Sequence, residues 1–184
     1  MLMLRATPQK MDLSRRQWLR GDPRGPVLPR RPPWACDESL FIQRCTRCDR
    51  CIEACELKLL FRGSGGFPEI RFTEAGCDFC GDCLKACPNQ ALDAPLPAPS
   101  LAWKWRATIG ARCLSRRGIV CRACGDACET EAIRFRLLTG GRAEPELDTQ
   151  LCNGCGECLA VCPEQSITLD VPDSKSPIDE ECSR

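Results

Sequence analysis

An α+β chain built from two small tandem modules is what this sequence predicts, and three observations predict it. Sixteen of the eighteen cysteines among 184 residues fall into four groups of four. The groups come in pairs, and the members of each pair are joined by two short apolar runs around a Gly-rich turn. A Pro-rich stretch, "DAPLPAPS", separates one pair from the other.

Cys45, Cys48, Cys51 and Cys55 form the first group, repeated 32 positions later as Cys77, Cys80, Cys83 and Cys87. The third group is Cys113, Cys121, Cys124 and Cys128. The fourth is Cys152, Cys155, Cys158 and Cys162, whose last three members repeat those of the third at a displacement of 34. Self-similarity at a fixed period marks a repeated structural unit. Glu56 and Glu129 follow the last cysteine of groups one and three, whereas Pro88 and Pro163 follow it in groups two and four. The repeating unit is therefore a pair of groups, present twice.

Within the first pair "LLFR" leads through "GSGG" to "FPEIRF"; within the second "IRFRLL" leads through "TGG" to "RAEPELD". Both read as β-hairpins. The predicted organisation is a basic disordered arm over residues 1–35, a module over 36–93, a stiff Pro-rich linker over 94–104, a second module over 105–170 and a polar tail over 171–184. Met11 is an alternative start.

Charge is close to balanced overall but unevenly spread. Residues 1–34 hold eight Arg or Lys against two Asp, a basic arm beside an acidic body. The arm has no helical pattern and the body no basic stripe, so nucleic acid is not indicated. "SRRQWL" at 14–19 resembles a twin-arginine export box, but no apolar segment follows it. No run in residues 1–35 is long enough for a signal core, and none later reaches membrane-spanning length. A reducing, cytoplasmic setting is expected, where clustered cysteines mean metal rather than disulfides.

Cysteines spaced C-x-x-C-x-x-C-x-x-x-C match the bacterial ferredoxin run, whose fourth thiolate serves the other cluster of a two-cluster module. That logic assigns Cys45, Cys48 and Cys51 with Cys87, and Cys77, Cys80 and Cys83 with Cys55. It likewise assigns Cys113, Cys121 and Cys124 with Cys162, and Cys152, Cys155 and Cys158 with Cys128. The fold expected is two tandem bacterial-type 2[4Fe-4S] ferredoxin modules between disordered N- and C-terminal tails. Four [4Fe-4S] clusters are expected, or three if the third group, opened by "LSRRGIV" between Cys113 and Cys121, stays empty. Glu56 and Glu129 restore a backbone donor that proline lacks but leave the thiol count untouched.

Zinc also takes four thiolates, but usually from well-separated pairs. Without histidine, Rieske-type ligation is excluded and the commonest general base is missing; no catalytic residues are indicated. Cys36 and Cys182 stand outside the frame, one a small packing residue and the other a solvent thiol. Arg44, Arg47, Arg50 and Arg122 lie within or beside the groups and either tune cluster potential or are plain surface charges. Trp18 and Trp34 lie in the arm; Trp103 and Trp105 are expected to pack, for example as a wedge between the two halves.

Taken in order, "SRRQWL", "RPPW", "DESLF", "CTRCDRCIEACE", "GSGGFPEIRF", "CDFCGDC", "TIG", "CRACGDACE" and "LCNGCGECLAVCP" resemble the ferredoxin-type NapF proteins of periplasmic nitrate reductase systems. The resemblance covers roughly residues 11–169. It implies a cytoplasmic iron–sulfur protein that contacts the precursor of the nitrate reductase catalytic subunit before export and helps that subunit acquire its own cluster. An electron-carrying ferredoxin serving a reductase is the alternative. A nested pairing, first group with fourth and second with third, is the alternative to neighbours.

Overall fold

The computed structural model describes residues 29–94 and 97–171. "SRRQWL", Trp18, Cys182 and the polar tail from residue 172 lie outside the described residues. Helix α1 (Glu38–Arg44) and the one-turn helix α2 (Arg50–Glu53) lead into strands β1 (Leu60–Arg62) and β2 (Pro68–Ile70), followed by α3 (Asp82–Lys85). After a 3₁₀ turn at Pro99–Leu101 come β3 (Arg106–Ile109), α4 (Ala123–Asp126), β4 (Ile133–Leu137), β5 (Ala143–Leu147), α5 (Glu157–Ala160) and β6 (Ile167–Asp170).

Both expected hairpins form. β1 pairs with β2 antiparallel, Leu60 opposite Ile70, and β4 pairs with β5, Ile133 opposite Leu147. Gly65 and Gly66 take the positive φ that the first turn needs, as Gly140 and Gly141 do in the second. Pro145 is tolerated in β5 because a two-stranded ribbon leaves one side of each strand without ladder bonds.

A second pairing closes the second module. β3 runs antiparallel to β6, Ala107 opposite Leu169 and Ile109 opposite Ile167. These four face the core while Thr108 and Thr168 face out, the period-two alternation of a half-buried sheet. In the first module the equivalent contact shrinks to one bridge, Ala35 to Leu92. Pro32 and Pro33 lie just upstream of Ala35, and without amide protons they cannot extend the ladder.

The arm expected over 1–35 and the linker expected over 94–104 are corrected at their inner ends. Pro32, Pro33 and Trp34 are buried, and so are Ala102 and Trp103. The Trp34 amide donates to Ala102 O (3.0 Å), Trp34 Nε1 to Ala98 O (3.2 Å), and Trp103 Nε1 to Arg31 O (3.2 Å). The Ile70 amide donates to Arg30 O, so this segment also lies along β2. Its apolar surface and free backbone groups outweigh the charge and proline content that read as disorder.

Arg31, only 9% exposed, is held by a two-pronged bond to Glu38 (Nε to Oε2 2.9 Å, Nη2 to Oε1 2.6 Å). Its guanidinium also lies over the rings of Phe41 (4.9 Å) and Phe67 (5.3 Å). Phe41 is the best-buried large side chain, at 0% exposure; burying such a ring is worth about 3 kcal/mol. Buried residues of both modules join in one core, from Trp34 and Phe41 through Phe72 and Trp103 to Ile133 and Leu169. Among the described residues no helix is long and apolar enough to cross a membrane.

Candidate metal centres

Each cysteine group is built on the same local frame. The third cysteine, Cys51, Cys83, Cys124 or Cys158, is the second residue of a four-residue helix. The amide of the fourth cysteine closes that helix, donating to Ile52, Leu84, Gly125 and Leu159 in turn. Three residues beyond each fourth cysteine comes a left-handed residue, Lys58, Gln90, Glu131 or Gln165, with φ between 46° and 52°. None of these is glycine, and glutamine, glutamate and lysine rarely adopt this conformation. Its recurrence at four equivalent positions shows that the frame imposes it.

Upstream, groups one, two and four place left-handed residues two and four positions after the first cysteine: Arg47 and Asp49, Phe79 and Gly81, Gly154 and Gly156. Alternating handedness turns successive amides toward one side, a concavity suited to anions. Group three departs from this, with Arg122 at φ −132°. There "LSRRGIV" makes a compact turn of its own, the Arg117 amide on Cys113 O and the Ile119 amide on Leu114 O, pinned to β5 by Ser115 Oγ on Ala143 O (2.5 Å).

The frame gathers the thiols in fours, with the last member crossing over. Cys45, Cys48, Cys51 and Cys87 line one cavity open to solvent. Cys113, Cys121, Cys124 and Cys162 line another, so the loop brings Cys113 back to its group despite the insertion. Cys128 joins Cys152, Cys155 and Cys158 at a third. For Cys55, Cys77, Cys80 and Cys83 the link is through charge: after burial, Cys80 and Cys55 are among the groups that raise the Cys77 thiol, and Cys77, Cys80 and Cys51 among those that raise the Cys83 thiol. None of the seventeen described cysteines is in a disulfide. Glu56 and Glu129 are exposed, outside all four sets.

Backbone donors reach the sulfurs. The Phe79 amide lies 3.4 Å from Cys77 Sγ, the Leu92 amide 3.4 Å from Cys87 Sγ, and the Ser166 amide 3.3 Å from Cys162 Sγ. The last two come from the segments just after the fourth cysteine of groups two and four, five residues beyond Cys87 and four beyond Cys162. Of the arginines, Arg44 is committed elsewhere, to Gln90 O (3.0 Å) and Cys36 Sγ (3.7 Å). Arg47 lies over Phe67 and Arg122 over Phe135. Cys36 is buried, donating also to Gln90 O (3.7 Å).

Comparison with known proteins agrees with this geometry. Residues 44–92 and 118–172 each match the family model for a 4Fe-4S dicluster domain. The ferredoxin-type protein NapF of Escherichia coli K12 is 46% identical over 161 residues, covering 88% of this chain and 96% of its own length. The chain belongs to the ferredoxin-type NapF family. The NapF of Haemophilus influenzae is 40% identical over 169 residues, covering 86% of this chain and 94% of its own. The ferredoxin-type protein NapG of Escherichia coli K12 is 35% identical over 150 residues, covering 72% of this chain and 65% of its own. No solved structure matches the chain.

As a member of the NapF family with two dicluster domains, the chain carries [4Fe-4S] clusters, which supply reversible one-electron chemistry. Its donor sets fit that group. Among the described residues no three Cys, Asp or Glu converge tightly enough to hold a single metal ion, whereas zinc requires its thiolates at about 2.3 Å from one centre. The thiols instead surround cavities. Burial, then the neighbouring thiolates, pushes Cys51 up to about 11 and Cys158 up to about 12. Burial likewise pushes Cys77 and Cys83 up to about 12 and Cys124 up to about 11. Bound cationic iron would offset that burial cost by holding these thiols as thiolates. Cys48, exposed, runs the other way: the Arg50 amide holds its thiol below the ordinary value. The second family match begins at residue 118 and so leaves out Cys113.

Proposed function

We propose that this protein is a cytoplasmic accessory factor for the catalytic subunit of periplasmic nitrate reductase, binding the precursor before export and assisting its acquisition of an iron–sulfur cluster. The protein is not itself an enzyme in this reading; its two modules are bacterial-type 2[4Fe-4S] ferredoxin units over residues 36–93 and 105–170. Four ligand sets hold its clusters: Cys45, Cys48, Cys51 and Cys87; Cys77, Cys80, Cys83 and Cys55; Cys113, Cys121, Cys124 and Cys162; Cys152, Cys155, Cys158 and Cys128.

The observation that carries the ligand sets is the crossing of each fourth cysteine, seen as Cys87 beside Cys51 and Cys162 beside Cys124. Neighbouring groups are thereby interleaved, which speaks against the nested pairing. Near full-length similarity to NapF proteins supports the accessory role. An electron-carrying role is the second reading, favoured by a backbone contact between the two modules at their thiol loops.

Two measurements test the proposal. Anaerobically purified protein is expected to hold about sixteen irons and as much labile sulfide per chain; zinc in their place would sink it. Pull-down with the reductase precursor is expected to give a stable complex, and cells lacking the factor a cluster-deficient reductase. Normal cluster content in that reductase, with rapid electron exchange to a partner, would favour the carrier reading.

A further inference from the structure

Where the modules meet, the loop of the second thiol set lies on the loop of the fourth. Two consecutive amides make the bond: Gly76 N–H donates to Glu157 Oε2 (2.5 Å) and Cys77 N–H to Cys155 O (2.8 Å). The approach is closed to side chains. A Cβ on Gly76 would stand 2.5 Å from the Glu157 backbone nitrogen, one on Gly154 would stand 2.8 Å from Trp105 Cδ1, and one on Gly156 would strike the Phe72 ring. All three glycines are buried.

Aromatic rings cover the same seam. Trp103 stacks on Trp105 (4.9 Å between centroids) and also meets Phe72 (5.9 Å) and Phe79 (5.5 Å) of the first module. Trp105 Nε1 donates to Gly154 O (3.2 Å).

We infer that this seam is the electron-transfer junction of the molecule, connecting the second thiol set to the fourth, so that the four sites form one line in the order first, second, fourth, third. The inference rests on the ligand sets proposed above. Within a module, the crossed fourth cysteine already interleaves neighbouring sites, and the short helices α2 with α3 and α4 with α5 pack together. Across the modules, electron tunnelling falls steeply with distance and is carried better by hydrogen bonds and covalent links than by gaps. The Cys77–Cys155 bond supplies such a bridge between two ligand backbones, and the rings exclude water that would otherwise reorganise around the changing charge. One electron crosses at a time: the site that releases it is oxidised, the site that accepts it is reduced, and no bond or proton moves. A low-potential one-electron donor supplies it, for which dithionite stands in below.

The test uses the full chain, purified anaerobically, with iron and sulfide read first. Fewer than about sixteen irons would count against the ligand sets themselves. In fully loaded, dithionite-reduced protein, pulsed dipolar EPR is expected to show three short inter-centre distances, one inside each module and one across the seam. Loaded protein showing only the two within modules overturns the junction and leaves the ligand sets standing. Gly76→Val drives a side chain between the loops without altering a thiol. It is expected to keep its iron, lose the third distance and split reoxidation by oxygen into two phases. A loaded Gly76→Val protein that keeps the third distance and a single phase also overturns the junction. Should that variant fail to fold, Glu157→Ala removes the acceptor of the Gly76 amide and is read against the same two outcomes.

Discussion

The Cys77 amide and the Cys155 carbonyl meet across 2.8 Å, a bond between one thiol loop of the first module and one of the second. Glycines at Gly76 and Gly156 make that approach possible, so the seam is sensitive to single methyl groups.

Gly81 and Gly156 allow a controlled comparison. Both precede a thiol-bearing helix in the left-handed conformation, φ 79° and 85°. An added Cβ meets nothing within 4 Å at Gly81 but collides with Phe72 at Gly156. Gly81→Ala is expected to cost about 1–2 kcal/mol, the backbone term alone. Gly156→Ala is expected to cost more and to loosen the modules, read by denaturant titration of the loaded protein and by small-angle scattering.

Arg31 is a buried cation with its carboxylate partner fixed. Glu38 is partly exposed and can be hydrated, so Arg31→Ala loses the two-pronged bond and the packing over Phe41 and Phe67 and is expected to destabilise by about 2 kcal/mol. Arg31→Lys keeps the charge but loses the planar two-pronged bond and the stacking over Phe41 and Phe67. It is expected to fall between, and equal melting of Arg31→Lys and wild type would contradict this account.

Iron loading is expected to tighten as pH rises. With no metal bound these thiols are protonated at neutral pH, in the unfolded chain with its thiols near 9 and all the more in the fold, where burial pushes Cys77, Cys83 and Cys158 up to about 12, so iron must displace the protons. Each displaced proton changes affinity by up to about tenfold per pH unit below the thiol pKa. Chelator competition at pH 6, 7 and 8 reads the slope, and a flat profile would contradict it. The sign for any cluster-free fold is opposite. Its raised thiols hold protons that the unfolded chain releases near 9, so its stability falls as pH rises from there toward 12.

Cys113 and Cys36 separate ligand from packing. Cys113→Ser is expected to lower iron per chain and change the spectrum of one site, because it lines a cavity with Cys121, Cys124 and Cys162. Cys36→Ala is expected to leave iron unchanged. Chelation of all iron is expected to abolish cooperative melting, since each module is too small for its apolar core to hold it unaided.

Much of this was legible in order along the chain. Cysteine spacing carries the local frame because three thiols on one tight turn and a fourth one helical turn later are set within eleven residues. Hairpins were legible from alternation and glycine. The pairing of β3 with β6 was not, because its strands lie sixty residues apart and each is only four long. The left-handed residue after each fourth cysteine escaped too: its only local signal is position, the residue types being Lys, Gln and Glu.

By itself the sequence determined that the thiols fall into four groups in two pairs and that most of them are spaced for a tight turn and a short helix, because short-range spacing needs no distant partner. Tertiary structure alone decided that Pro32, Pro33 and Trp34 belong to the core, that Cys113 returns to its group across the insertion, and that the second and fourth thiol loops touch. Those outcomes depend on whether two surfaces far apart in the chain can approach without a Cβ between them, and no periodicity records that.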